Sequence, residues 1–211
     1  MNKSVVTELH AAEPETLSLD DPAYYINRQL SLLQFHRRVL AQALDERYPL
    51  LERLQFLMIF CSNMDEFFEV RVAGLRRQIS FHRESTFLDG MAPAQVLREI
   101  REACLEGVNE QYRILNDIML PALAQENIRF LMRDQWSEGV SAWVDDYFAN
   151  QLLPVISPIG LDTMHPFPRL VNKSLNFIVQ LEGKDAFGRE SGLAIVPAPR
   201  SLPRLIRADY R

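Results

Sequence analysis

The chain has 211 residues, 47% of them hydrophobic, which suffices for one medium domain or two small ones with a buried core. Its 28 acidic residues outnumber its 23 lysines and arginines, for a net charge of -5, so the basic footprint of a nucleic-acid binder is missing and no nucleic-acid partner is expected. No run approaches the roughly 18 apolar residues that span a bilayer, and the N-terminus lacks a charged start followed by an apolar core, which argues against a transmembrane segment or an export signal.

Residues 1–21 carry Glu8, Glu13, Glu15 and Asp20 against Lys3, include Pro14, and have no periodic apolar face; they read as a disordered acidic leader. Ser31 with Gln34 makes a capping box, and Leu30 with Phe35 fits a hydrophobic staple. Together they predict a first helix from about Leu32 to Asp45, with Leu33, Val39, Leu40, Ala43 and Leu44 on its buried side. His36, amid Gln34, Arg37 and Arg38, reads as an exposed or half-exposed polar residue and not as a catalytic one. Pro49 suits the opening of a second helix, where its missing amide hydrogen costs nothing, and the two helices should form an antiparallel pair.

From Pro49 to Phe60 the chain is strongly apolar at helical spacing. The stretch Cys61-Ser62-Asn63-Met64-Asp65-Glu66-Phe67-Phe68-Glu69-Val70-Arg71 then places polar residues inside that run. Asn63 followed by Glu66 reads as a capping box that starts a fresh helix at Met64, with Met64, Phe68, Val72, Leu75 and Ile79 along its buried face. Asp65 and Glu66 would sit at the positive end of that helix dipole, and Arg76 and Arg77 near the negative end. On one reading Ser62 and Asn63 only punctuate two helices; on the other, the Asn63 carboxamide offers both a donor and an acceptor to a planar ligand such as a nucleobase edge. The residues alone favour the first.

A short polar segment with His82, Asp89 and Gly90 leads to Pro93, which opens a long helix. Val96, Leu97, Ile100, Cys104, Val108, Tyr112, Leu115 and Ile118 keep one stripe over about 25 residues, roughly 37 Å of helix. Met91, Tyr112 and Met119 read as core. Pro121 kinks or restarts this helix before Asn127 ends the bundle. The composition then shifts: Ile128–Met132 suits a strand, Glu138–Asn150 a helix, and Leu152–Ile159 is broken by Pro154 and Pro158. After a loop over 160–169, Leu175–Leu181 and Leu193–Val196 read as strands of a hairpin linked through Gly183 and Gly192. Leu202–Tyr210 shows no stopping signal. The predicted fold is an α-helical bundle as an N-terminal domain over 22–127, followed by a truncated α+β domain over 128–211.

Cys61 and Cys104, in apolar helical surroundings far apart in sequence, read as free thiols packed as small hydrophobes, which fits a reducing cytoplasm. No glycine-rich phosphate loop occurs. The four histidines (His10, His36, His82 and His165) have no partner at ligand spacing, so no metal site is expected, and His165 before Pro166 lacks an evident orienting acid.

The segments LSLLQFHRRVL and YPLLERLQFLMIFCSNMDEFFEVRVAGLRRQ closely resemble the N-terminal domain of the bacterial long-chain polyphosphate kinases that work through a phosphohistidine. That family's pattern is L-S-W-L-x-F-N-x-R-V-L, then P-L-x-E-R-x-x-F-L, then S-N-x-D-E-F-x-x-V-R. This chain has Leu32 for the Trp and His36 for the Asn, and it keeps Asn63, Asp65, Glu66, Phe67 and Arg71. A weaker resemblance continues through Pro166-Phe167-Pro168 and Asn172-Lys173-Ser174-Leu175-Asn176. The resemblance implies an enzyme that reversibly transfers the terminal phosphate of ATP to inorganic polyphosphate, with Mg2+, through a phosphorylated histidine. In the family that histidine belongs to C-terminal domains which nothing here matches, so neither a catalytic residue nor a Mg2+ ligand is expected in this chain. It also implies ATP or ADP and polyphosphate as partners and a cytoplasmic location, free or peripheral to the inner membrane face. The second domain would supply homo-oligomer contacts and help to shape a tunnel. The family's motif Asn contacts adenine, and the matching residue is Asn63; Asp65 and Glu66 would cap and orient its helix. Arg71, Arg76 and Arg77 are candidates to face phosphate, with an ion-paired surface equally open for each. The competing reading is a non-catalytic helical interaction or dimerisation module built on the Pro93–Met119 helix.

Overall fold

The computed structural model describes residues 18–81, 86–161, 166–183 and 192–208. The expected leader up to residue 17, together with His10, His82 and His165, lies outside them. The chain divides into two compact units between Phe130 and Leu131.

The first unit begins with a 3-10 turn, Pro22–Tyr24, capped by Asp21, whose Oδ1 accepts from the Ala23 amide at 2.9 Å. Helix α1 spans Arg28–Gln42. Its cap is Asn27, not Ser31: Asn27 Oδ1 accepts from the amides of Gln29 at 3.0 Å and Leu30 at 3.4 Å, so the helix starts four residues earlier than the Ser31 box predicts. Leu33, Leu40 and Ala43 are buried as expected, and so is His36, contrary to its polar neighbours; Leu44 is half exposed. Helix α2, Leu50–Glu66, follows a short connection that its own Arg53 bridges, Nε donating to the Ala43 carbonyl at 2.9 Å.

The helix start expected at Met64 does not exist. Helix α2 runs through Cys61, Ser62 and Asn63 without a break, widens into a π turn over Phe67–Val72, and continues as α3, Ala73–Ser80. Asn63, Asp65 and Glu66 are therefore mid-helix residues and cap nothing. The Phe67 amide donates to the carbonyls of Asn63 and Met64, which keeps the ladder closed across the junction. A π turn takes five residues to return to the same face, and the core shows it. Leu57, Phe60, Met64 and Phe67 are buried at intervals of three or four; the next buried residues are Val72, five on, and Leu75. Phe68, assigned to the core by an unbroken four-residue repeat, is 46% exposed.

The turn at Phe87–Met91 closes through Gly90, whose positive φ of 79° suits glycine and which packs against Pro22. Pro93 then opens α4, Pro93–Arg113, again followed by a π turn, Ile114–Met119, and by α5, Leu120–Gln125. Pro121 stands in the first turn of α5, which resumes after the wide turn as a restart at this proline would require, and there a residue without an amide hydrogen is accommodated. Val96, Ile100, Cys104, Ile114 and Met119 are buried, whereas Tyr112, expected in the core, is exposed. Gly107 leaves room for Phe60 of α2, since a Cβ there would lie 3.1 Å from its ring. Asn127, at φ 62°, ends the bundle as expected: the Asn127 amide donates to Ala124 and the Ile128 amide to the Leu123 carbonyl, a Schellman pattern.

The strand expected at Ile128–Met132, which straddles the division between the units, is absent. In the second unit helix α6, Glu138–Tyr147, is capped by Ser137 and continues through a π turn, Phe148–Leu152, and a 3-10 turn at Pro154. Three antiparallel strands follow, β1 (Ile159–Leu161), β2 (Asn176–Gln180) and β3 (Leu193–Pro197), in the order β1-β3-β2. Ile195 faces both Ile159 and Ile178 and is fully buried. The pairing of β2 with β3 was expected; β1 was hidden behind Pro158. An α-helical bundle followed by an α+β region is thus the observed fold.

Candidate functional site

The central stretch lies on the continuous helix formed by α2, the π turn and α3, and its register decides which of the candidate side chains share a face. Met64, Phe67, Val72 and Leu75 are buried. Asn63, Glu66, Arg71 and Gly74 each precede one of these core residues by one position, so they form a single row along one edge of the buried face. The π turn makes this possible. Eight residues of straight α-helix would turn Arg71 about 80° away from Asn63, and the extra residue of the wide turn brings it back to about 20°. Asp65, Phe68, Ala73 and Arg76 follow core residues and line the opposite edge, and Arg77 lies further round. Asn63, Glu66 and Arg71 are brought together; Asp65, Arg76 and Arg77 are not.

Asn63 and Arg71 are both half-buried. Asn63 makes no side-chain hydrogen bond with the described residues, and the ion pairs found among them, Arg37–Glu106, Arg47–Asp45 and Arg113–Glu110, leave Arg71, Arg76 and Arg77 out. The row therefore offers a carboxamide with both donor and acceptor and, on the order of 10 Å further along the helix, a guanidinium.

His36 of α1 stands against this edge. Its ring meets Phe67 edge-on with centroids 5.9 Å apart and Phe35 at 6.0 Å, and the residue is 5% exposed. Burial pushes the imidazole below its ordinary range, and the Glu66 carboxylate partly opposes that shift. Its Nδ1 is sealed from solvent without a hydrogen-bond partner. Neither His36 nor the π turn was recognised as part of the site from the sequence. The signal was present in the spacing: His36 lies three residues after Leu33 and four before Leu40, on the buried face, and Phe67 and Val72 are apolar at an interval of five.

A groove of about 620 Å³ runs elsewhere, between α1 and α4, over an apolar floor that includes Leu40, Leu44 and Ile114. Its charged residues pair off, Arg37 with Glu106 at 3.1 Å and Arg113 with Glu110 at 2.7 Å, so the groove carries no net charge to draw an anion. None of the sequence-predicted site residues lines it. Among the described residues no group of three or more His, Cys, Asp or Glu side chains could hold a metal ion, so these residues do not fit a protein-built Mg2+ site. Nor is any described helix long and apolar enough to cross a membrane.

Comparison with known proteins adds an independent line. The family model for the polyphosphate kinase N-terminal domain matches residues 25–131, and that for the polyphosphate kinase middle domain matches residues 140–211. The chain is 61% identical over 189 residues to a polyphosphate kinase of Pseudomonas aeruginosa, covering 90% of this chain and 27% of that protein. It is 52% identical over 179 residues to one from Neisseria meningitidis, covering 85% and 26%. Among solved structures, the polyphosphate kinase from Porphyromonas gingivalis superposes with a TM-score of 0.68 at 27% identity, over 86% of this chain and 27% of that one. The chain thus spans about a quarter of the length of the relatives it matches.

Proposed function

This chain belongs to the polyphosphate kinase family, and on that premise we propose that it supplies the nucleotide-recognising part of an enzyme that reversibly moves the terminal phosphate of ATP onto inorganic polyphosphate. The matched regions are the N-terminal and middle domains. The phosphohistidine chemistry and the Mg2+ that goes with it belong, on this reading, to parts of the longer protein without counterpart here, and no catalytic step is assigned to these residues.

The observation that carries the proposal is the shared edge of Asn63 and Arg71. A carboxamide can donate to and accept from one edge of adenine, as the family motif implies for Asn63. Arg71, two helical turns further on and on the same side, stands at a separation comparable to that between the base and the phosphates of an extended nucleotide. Its guanidinium suits phosphate oxygens, and its half-buried stem limits the freedom lost on binding. Arg76 and Arg77, on other faces, have no part in it. Glu66 shares the row and orients neighbours through charge, not through capping. Homo-oligomer contacts would fall to the second unit, where Phe177 and Ile178 of β2 are 55% and 67% exposed.

The test is Asn63→Ala in the full-length protein, with ATP kinetics and melting measured together. Loss of one neutral hydrogen bond should raise KM for ATP several-fold, up to about ten-fold, with kcat unchanged. Because Asn63 is a helix-interior residue and alanine is the better helix former by about 0.5 kcal/mol, the melting temperature should hold or rise. An unchanged KM would remove the base-recognition role.

A further inference from the structure

We propose that His36 is a second base-reading residue, its Nε2–H donating to the N1 acceptor of adenine while the Asn63 carboxamide engages the same base. The inference rests on the base-recognition reading of Asn63 and extends it to a residue outside the family motif, at a position where the family pattern has Asn. Three observations support it.

The first is the state of the ring. Of its two nitrogens only Nδ1 is both fully buried and unpartnered. A proton there would strand an N–H donor in an apolar pocket, a costlier state than an unused acceptor lone pair, so the proton belongs on Nε2. Nε2 is the ring nitrogen that is not sealed in this way.

The second is location. The charged group that His36 senses is Glu66, and the ring it meets on the central helix is Phe67. Both lie one turn beyond Asn63, with Glu66 in the same row. Residues three or four apart on a helix have Cβ atoms about 5–6 Å from each other, so Asn63 adjoins the Glu66–Phe67 pair against which the His36 ring packs.

The third is the surface beside the ring. Phe35 is 48% exposed, and the Arg38 guanidinium lies 5.8 Å from its ring centroid, which provides an apolar wall with a cation nearby for the face of a base. An N–H donor at this place also discriminates. It pairs with N1 of adenine, a lone-pair acceptor, and opposes N1–H of guanine.

The experiment compares ATP with GTP in the full-length protein carrying His36→Asn, His36→Gln or Asn63→Ala, with melting temperatures. The family pattern carries Asn at this position, so the fold accommodates that substitution; its side chain reaches only the place of Nδ1. The amide nitrogen of Gln reaches the place of Nε2. His36→Asn should raise KM for ATP by about three- to ten-fold and leave GTP unaffected, with kcat unchanged, while His36→Gln keeps most of the preference for ATP. Equal effects on ATP and GTP, or an unchanged ratio in His36→Asn, would overturn the proposal whatever the melting temperature does. If Asn63→Ala raises KM and His36→Asn leaves the ratio untouched, only the role of His36 fails. If Asn63→Ala also changes nothing, the reading beneath it fails too.

Discussion

Cys61 and Cys104 show how far identical side chains diverge when one faces water and the other the core. Cys104 of α4 is buried, and desolvation pushes its thiol up to about 11, so almost no thiolate is present near neutrality. Cys61 of α2 is exposed, contrary to the expectation that both would pack as small hydrophobes. Alkylation of the native protein at pH 8 should therefore label Cys61 and spare Cys104 until denaturant is added, as peptide mapping would show. Comparable labelling of Cys104 before denaturation would contradict the packing of α4 against α1. The same contrast explains what could be read at this scale. Asn127 was legible because an αL helix end is a local matter. His36 was misread because its sequence neighbours are polar, whereas its burial is set by helix phase and by Phe67, 31 positions along the chain.

At the scale of elements, the π turn at Phe67–Val72 exchanges the roles expected of two adjacent phenylalanines. An unbroken four-residue repeat from Met64 puts Phe68 in the core; the wide turn buries Phe67 at 2% exposure instead. Phe67→Ala should cost about 3–5 kcal/mol in denaturant unfolding, and Phe68→Ala within about 1 kcal/mol. The reverse order would mean that the helix passes this point without widening. The wide turn was not legible because propensity and capping rules act over three or four residues, and a polar run inside an apolar one looks like a helix end to them. An Asn in a helix interior costs less than about 0.7 kcal/mol, which the burial of Phe60, Met64 and Phe67 on either side easily outweighs. Hence the candidate residues could be named from the motif, but their grouping could not: only the extra residue in the turn puts Arg71 in one row with Asn63 and leaves Arg76 and Arg77 elsewhere. The strand predicted at Ile128–Met132 failed for the complementary reason, since an apolar run becomes a strand only where another strand pairs with it.

Across the whole molecule the two units differ in how much they bury. The first holds a continuous core from α1, α2, the π turns, α3 and α4, centred on Phe60, Phe67, Ile100, Ile114 and Met119, all at or below 2% exposure. In the second, the buried apolar residues among those described are Val140, Ala194 and Ile195, while Phe177, Ile178 and Val179 on the edge strand β2 are at least 40% exposed. Exposed apolar side chains on an unpaired strand edge invite association, and a small core leaves little free energy to resist local opening. Expressed separately, residues 18–130 should be monomeric and unfold in one cooperative helical transition, since the division at Phe130 leaves that core intact. Residues 131–211 expressed separately should bind a hydrophobic dye and self-associate in sedimentation. A non-cooperative melt of the first piece would mean that its core depends on the second unit. A monomeric, dye-silent second piece would mean that β2 needs no cover, and the proposal that this unit makes the homo-oligomer contacts would lose its physical basis. The expected asymmetry matches the division of labour proposed above, in which a rigid helical unit holds base-reading groups at fixed spacing and the other unit supplies adhesive surface.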